Sequence, residues 1–110
     1  MVRRDYVESG LMNIEDTATK LSALGHPTRI RILIELTKGE NYLSEVAKNV
    51  GISRALAKVH LKKLKKSGLV DSKIITLEEE ARALRFYKIL DFSFNISTES
   101  LAREVKEDEK

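Results

Sequence analysis

Cysteine is absent from this 110-residue chain, which excludes a disulfide framework, thiolate metal sites and cysteine nucleophiles and fits a reducing cytoplasm. Long apolar runs are missing as well, since nothing approaches the ~18 consecutive apolar residues of a membrane span. The opening stretch from Met1 to Glu8 has no apolar core of the secretory-signal kind, so a cytoplasmic protein is expected. Nor is there much excess of one charge: 20 basic and 17 acidic side chains leave a net +3, a weak argument by itself for a nucleic-acid partner. No glycine-rich phosphate loop, nucleophile elbow or metalloprotease signature occurs. Glu78, Glu79 and Glu80 are adjacent in a loop, whereas paired-carboxylate catalysis needs two carboxylates held in different environments. His26 and His60 are far apart in the chain and give a metal cluster little support. No enzymatic activity, metal or cofactor is expected.

What is present suits a folded protein. The 42% hydrophobic content supports a core, and the length favours one domain over residues 1–110. Asn13 can cap a first helix running to about Leu24, with Ile14, Ala18 and Leu21 along one stripe. Gly25 breaks it, and Pro27 suits the first position of a second helix because its missing N–H needs no partner there. Ile30, Leu33 and Ile34, widened by Ile32 and Leu36, predict a strongly buried stripe on that helix, which ends at Gly39. Asn41 is a candidate cap for a short third helix with Leu43, Val46, Ala47 and Val50 on one side. Gly51, Ile52 and Ser53 then make a tight corner into a fourth helix that stops at Gly68. Two helices joined this way, over about 42–67, read as a helix-turn-helix.

Beyond it, Leu69–Leu77 and Ala83–Leu90 are rich in β-branched and aromatic residues and predict two antiparallel strands, a wing over about 69–90. Phe92, Phe94 and Ile96 alternate with polar residues, as in a further short strand or an extended segment with one buried face. Ser97 or Thr98 caps a last helix over about 98–107, with Leu101 and Val105 on one side. The fold class is therefore mainly α with a small β-hairpin (α+β), in the order α-α-α-α-β-β-α.

The positive charge is concentrated on the fourth helix. With residues about 100° apart, Ala57, His60, Leu61 and Leu64 share an inward face and Ala55, Val59, Lys62 and Lys66 an outward one. Small and apolar groups among cations suit the floor of the DNA major groove, where an apolar side chain can meet a thymine methyl. Arg54, Ala55, Lys58, Val59 and Lys62 are the candidate base contacts. Ser53, Lys63, Lys65, Lys66, Arg82 and Arg85 are the candidate phosphate contacts. Two uses remain open for such a fold, a DNA-binding regulator and a protein-docking module, because fold does not fix function.

The run Leu24-Gly25-His26-Pro27-Thr28-Arg29-Ile30-Arg31-Ile32-Leu33, with Ile52-Ser53, His60-Leu61-Lys62-Lys63-Leu64, Ser67-Gly68-Leu69-Val70 and Arg85-Phe86-Tyr87-Lys88, resembles the ArsR-type winged-helix repressors from about Leu21 to Ile89. The resemblance implies a homodimeric transcription factor binding double-stranded DNA. It also implies first and last helices paired across the dimer axis, which makes Ile14, Ala18, Leu21, Leu101 and Val105 the candidate interface. Tyr42 and Ser44 stand where metal-sensing members carry cysteines, and the last helix lacks histidine, so neither metal route is expected. The triple glutamate departs from the commonly basic wing of the family, leaving Arg82 and Arg85 as the candidates there.

Overall fold

The computed structural model describes residues 13–77 and 82–108. Among these described residues there are five helices, α1 (Ile14–Leu24), α2 (Pro27–Leu36), α3 (Leu43–Val50), α4 (Arg54–Lys66) and α5 (Thr98–Asp108). Three strands, β1 (Asn41–Tyr42), β2 (Val70–Leu77) and β3 (Arg82–Ile89), form one antiparallel sheet in the order β1-β3-β2. The chain forms two compact units, one spanning Thr19–Asp91 and one made of the segments up to Ala18 and from Phe92.

In the larger unit the core is built from Ile32, Leu33 and Leu36 of α2, Val46 and Ala47 of α3, Ala57, Leu61 and Leu64 of α4, and Leu69, Val70 and Tyr87 at the sheet. On α4 these residues recur every three or four positions, and on α2 and α3 adjacent pairs widen the stripe that lies against the shared core. The hairpin register runs from Val70 opposite Ile89 to Leu77 opposite Arg82 without a slip. It is closed at its base by the Leu90 N–H donating to the Leu69 carbonyl at 3.0 Å.

Helix boundaries follow local chemistry. The Asn13 Oδ1 accepts from the Asp16 N–H at 2.6 Å and caps α1, satisfying one of the orphan donors of the first turn. Pro27 opens α2, with His26 as its cap: the ring Nδ1 accepts from the Thr28 N–H at 3.1 Å. In the smaller unit, Ser97 and Ser100 cap α5 reciprocally. The Ser97 Oγ accepts from the Ser100 N–H at 3.1 Å and the Ser100 Oγ from the Ser97 N–H at 2.9 Å, with serine doing what glutamate does in the usual capping box.

Several expectations need correction. Ile30 and Ile34 are not in the buried stripe of α2 but lie 44% and 57% exposed, because the helix is rotated so that Ile32, Leu33 and Leu36 face the core. The helix also ends at Leu36 rather than running to Gly39. Asn41 does not cap α3; it belongs to β1, opposite Tyr87, and Tyr42 takes the cap position without a side-chain hydrogen bond. Backbone pairing of Asn41 and Tyr42 with β3 outweighs the capping preference there and adds a strand that local sequence signals do not show. Phe92–Ile96 forms no regular element, although Phe92 and Phe94 are half-buried between exposed Ser93 and Asn95. Of the expected wing loop, Glu78 to Arg82, the first four residues lie outside the described residues and Arg82 opens β3 instead.

Candidate nucleic-acid interface

The corner between α3 and α4 sets the presentation of α4. Gly51 adopts φ +86°, a left-handed conformation that glycine reaches without the steric cost of a Cβ. Its N–H and that of Ile52 return to the Ala47 carbonyl at 2.8 and 3.0 Å, which terminates α3 and turns the chain. The Ser53 Oγ then accepts from the Leu56 N–H at 3.0 Å and caps α4. At the other end, the Ser67 Oγ donates to the Lys63 carbonyl at 2.8 Å, and Gly68 at φ +82° leads into β2.

Between those ends, Ala57, Leu61 and Leu64 are fully buried and His60 is 6% exposed. The opposite side is open: Ala55, Lys62 and Lys66 are exposed and Val59 is 62% exposed. Ser53, Arg54, Lys58, Lys63 and Lys65 are exposed as well. Every candidate on α4 therefore lies at the surface, and the inward and outward faces fall where the 3.6-residue period puts them.

The outward surface is subdivided. On the helical wheel Arg54, Lys58 and Lys65 fall on one flank and Lys63 on the other. The Lys65 Nζ donates to the Ser72 Oγ of β2 at 2.8 Å, which shows that the first flank faces the hairpin. Arg85, exposed on β3, lines with Arg54 and Lys58 a groove of about 220 Å³ that also has Tyr42, Ser44 and Ile74 on its walls. The structure thus brings together Arg54, Lys58 and Arg85, which the sequence assigned to different duties. The Arg82 side chain lies outside the described residues. Of the other candidates, Ile14, Ala18, Leu21 and Leu101 are exposed, while the side chain of Val105 lies outside the described residues.

Behind α4 sits a polar cluster that sequence separation concealed. The His26 and His60 rings lie 4.6 Å apart, centroid to centroid. The Arg29 Nε donates to the Ala23 carbonyl at 2.7 Å, and its Nη1 lies 3.3 Å from the His60 Nδ1. A guanidinium has only donors, so the His60 Nδ1 must accept and the ring is neutral in this arrangement. Burial holds the His60 pKa below that of a free imidazole, and His26 and Arg29 push it in the same direction. The His26 ring caps α2, and the His60 ring packs against it and accepts from Arg29. Among the described residues no group of three or more histidine, aspartate, glutamate or cysteine side chains could hold a metal ion.

Arg29 was singled out in the sequence only as part of a family motif. Its spacing six residues after Ala23, across the Gly25 break, gives no local sign that it bridges α1 to α4. A second link was also missed: the Asn49 Nδ2 of α3 donates to the Glu35 Oε2 of α2 at 2.7 Å, which pins the two helices behind the corner.

A family profile described as "Bacterial regulatory protein, arsR family" matches residues 26–72, from the start of α2 into β2. A helix-turn-helix-type transcriptional regulator of Methanocaldococcus jannaschii is 35% identical over 92 residues, covering 84% of this chain and 95% of that protein. The chain belongs to the ArsR family of transcriptional regulators. Its fold is the winged helix-turn-helix. The homodimeric winged helix-turn-helix DNA-binding domain of a possible ArsR-family regulator from Mycobacterium bovis superposes with a TM-score of 0.62 at 24% identity, covering 86% of this chain and 81% of that one. The transcriptional repressor BigR of Xylella fastidiosa gives a TM-score of 0.58 at 25% identity, covering 70% and 72%. In this family member α4 is the second helix of the helix-turn-helix, and β2 and β3 are the wing strands.

Proposed function

We propose that this ArsR-family chain acts in the cytoplasm as a homodimeric repressor, a single winged-helix domain whose α4 enters the major groove of double-stranded DNA. The observation that carries the reading is the outward face of α4. Lys62 and Lys66 stand exposed around Ala55 and Val59 on a helix whose other side is buried, so small and apolar groups can approach base edges while lysines meet the backbone. Ala55, Val59 and Lys62 form the centre of the base-facing surface, with Arg54 and Lys58 on its hairpin side. Ser53, Lys63, Lys65 and Lys66, with Arg82 and Arg85 of the wing, serve the phosphates.

Homodimerisation is supported by the exposed apolar residues Ile14, Leu21 and Leu101, which with Ala18 and Val105 make up the proposed interface, and by the homodimeric neighbour from Mycobacterium bovis. Repression is supported by the likeness to BigR. Among the described residues no helix is long and apolar enough to cross a membrane. Two α4 helices in successive major grooves call for an inverted repeat with half-sites about 34–36 Å apart or a multiple of that.

The test is titration of the full chain against a duplex of about three helical turns over a range of salt concentrations. Lys63, Lys65, Lys66, Arg82 and Arg85 on each of two protomers would neutralise about ten phosphates, and the slope of log affinity against log salt is then roughly −9. A protein-docking module would show no binding, or binding that salt leaves unchanged, and either result would refute the proposal.

A further inference from the structure

The groove between α4 and the hairpin has a charge pattern that base reading alone does not account for. Arg54, Lys58 and Arg85 all line it, no acidic residue is on its described walls, and none of the three makes an ion pair or side-chain hydrogen bond among the described residues. Three like charges around one concavity raise the positive potential inside it and attract an anion. Its volume of about 220 Å³ is several times the roughly 30 Å³ share of a water molecule, so a phosphate group fits. The Tyr42 and Ser44 hydroxyls on the α3 side can donate to an oxyanion, and Ile74 on β2, 56% exposed, offers an apolar wall for a sugar ring. A guanidinium presents two parallel donors to phosphate oxygens, which suits Arg54 and Arg85 to grip one group from opposite sides.

The geometry points to this groove as a clamp for a single DNA phosphodiester, held jointly by Arg54 of α4 and Arg85 of the wing, with Lys58 lining the same groove. The clamp rests on the DNA-binding reading above and changes one of its assignments. Arg54 and Lys58 serve the backbone rather than base edges, leaving Ala55, Val59 and Lys62 to read sequence. The groove also gives the wing a part in binding that does not depend on a basic loop tip. Phosphate gripped between two secondary-structure elements would fix how deeply α4 enters the groove.

The experiment measures binding of the full chain to a random-sequence duplex by fluorescence anisotropy, for the wild type, Arg54→Ala, Arg85→Ala and the double variant. Lys63→Ala, alone and with Arg85→Ala, is the control from the opposite flank of α4. For each protomer engaged, an arginine substitution should weaken binding by roughly tenfold, the scale of a charge-assisted hydrogen bond. The arginine double variant should lose clearly less than the roughly hundredfold product per protomer, because both side chains hold the same group, whereas Lys63→Ala and Arg85→Ala should multiply. Both arginine side chains are exposed, so thermal melting should be unchanged and loss of fold would not mimic the effect. Multiplying losses for Arg54 and Arg85 would overturn the clamp while leaving DNA binding intact. So would an Arg54→Ala variant that binds random duplex normally and changes only its preference among sequences. Failure of the wild type to bind any duplex at low salt would instead overturn the DNA reading itself, and the clamp with it.

Discussion

Replacing Leu64 by alanine and, separately, Lys62 by alanine tests the division of α4 into an anchoring side and a reading side. Leu64 is fully buried beside Ala57 and Leu61; truncation removes its transfer free energy and leaves a cavity, together about 2–5 kcal/mol. Against a domain stability of about 5–15 kcal/mol, that is a large fraction. The Tm should fall by at least about 8 °C, taking roughly 4 °C per kcal/mol for a small domain. DNA affinity need not follow. A residual stability of about 2 kcal/mol keeps about 97% of the molecules folded, and apparent affinity falls only in proportion to the folded fraction. Lys62→Ala should do the reverse: an exposed residue whose loss changes stability by no more than about 0.5 kcal/mol, yet whose absence weakens binding severalfold. Urea melts give the first quantity and anisotropy titrations in the cold the second. A Leu64→Ala cost below about 1 kcal/mol, or a Lys62→Ala variant that melts early and binds normally, would refute the assignment of the two faces.

Four further outcomes follow from particular residues. The His60 pKa is depressed in the folded chain relative to the ordinary 6.5, so the unfolded chain takes up the proton first; the stability it confers is whole above about pH 6.5 and drains away as pH falls through that value towards the folded pKa. The urea midpoint should therefore drop between pH 7.5 and 5.5 by more in the wild type than in His60→Gln, and equal drops would exclude His60 as the cause. Gly51→Ala meets no atom within 4 Å but must hold φ +86°, so chemical denaturation should show a loss of about 1–2 kcal/mol from backbone strain alone. Truncation after Ile96 removes α5, and sedimentation should show a monomer; an unchanged dimer takes α5 out of the interface. Lys66→Ala should lower affinity evenly across sequences and reduce the salt slope by about two, one for each protomer, which titration of several unrelated duplexes would check.

Most of the helical fold was legible because it is signalled within a few residues, the exceptions being the uncapped start of α3 and the end of α2. Asn13, Pro27, Ser53 and Ser97 open helices where their side chains or missing N–H groups relieve orphan donors, and Gly51 and Gly68 close them where φ must be positive. The buried face of α4 was legible for the same reason, since a 3.6-residue period needs no knowledge of the neighbours. Strand β1 was not, because a two-residue strand exists only through its pairing with Phe86 and Tyr87, over 40 positions away. The rotation of α2 was obscured by excess: five aliphatic residues in seven fit more than one stripe, and only packing against α3 and α4 selects Ile32, Leu33 and Leu36. The convergence of Arg54, Lys58 and Arg85 on one groove depends on how the hairpin folds back beside α4, which no local pattern encodes.

The corner, the inward face and the cap act on one geometric quantity, the rotation of α4 about its own axis. A turn of 100° would carry Val59 and Lys62 off the exposed surface and bring Leu56 and Lys63 into their place, so the rotation has to be fixed before DNA arrives. Three constraints fix it. Ser53 and Gly51 set where the helix begins; Ala57, Leu61 and Leu64 allow one buried orientation; and the neutral His60, accepting from an Arg29 that also holds the Ala23 carbonyl, ties the helix to the end of α1. Because the last of these needs an unprotonated ring nitrogen, losing it should free the rotation before it unfolds the core. DNA affinity of Arg29→Gln should accordingly fall by a larger factor than its change in stability accounts for, and an affinity loss fully explained by the unfolded fraction would show that the buried leucines alone orient the helix.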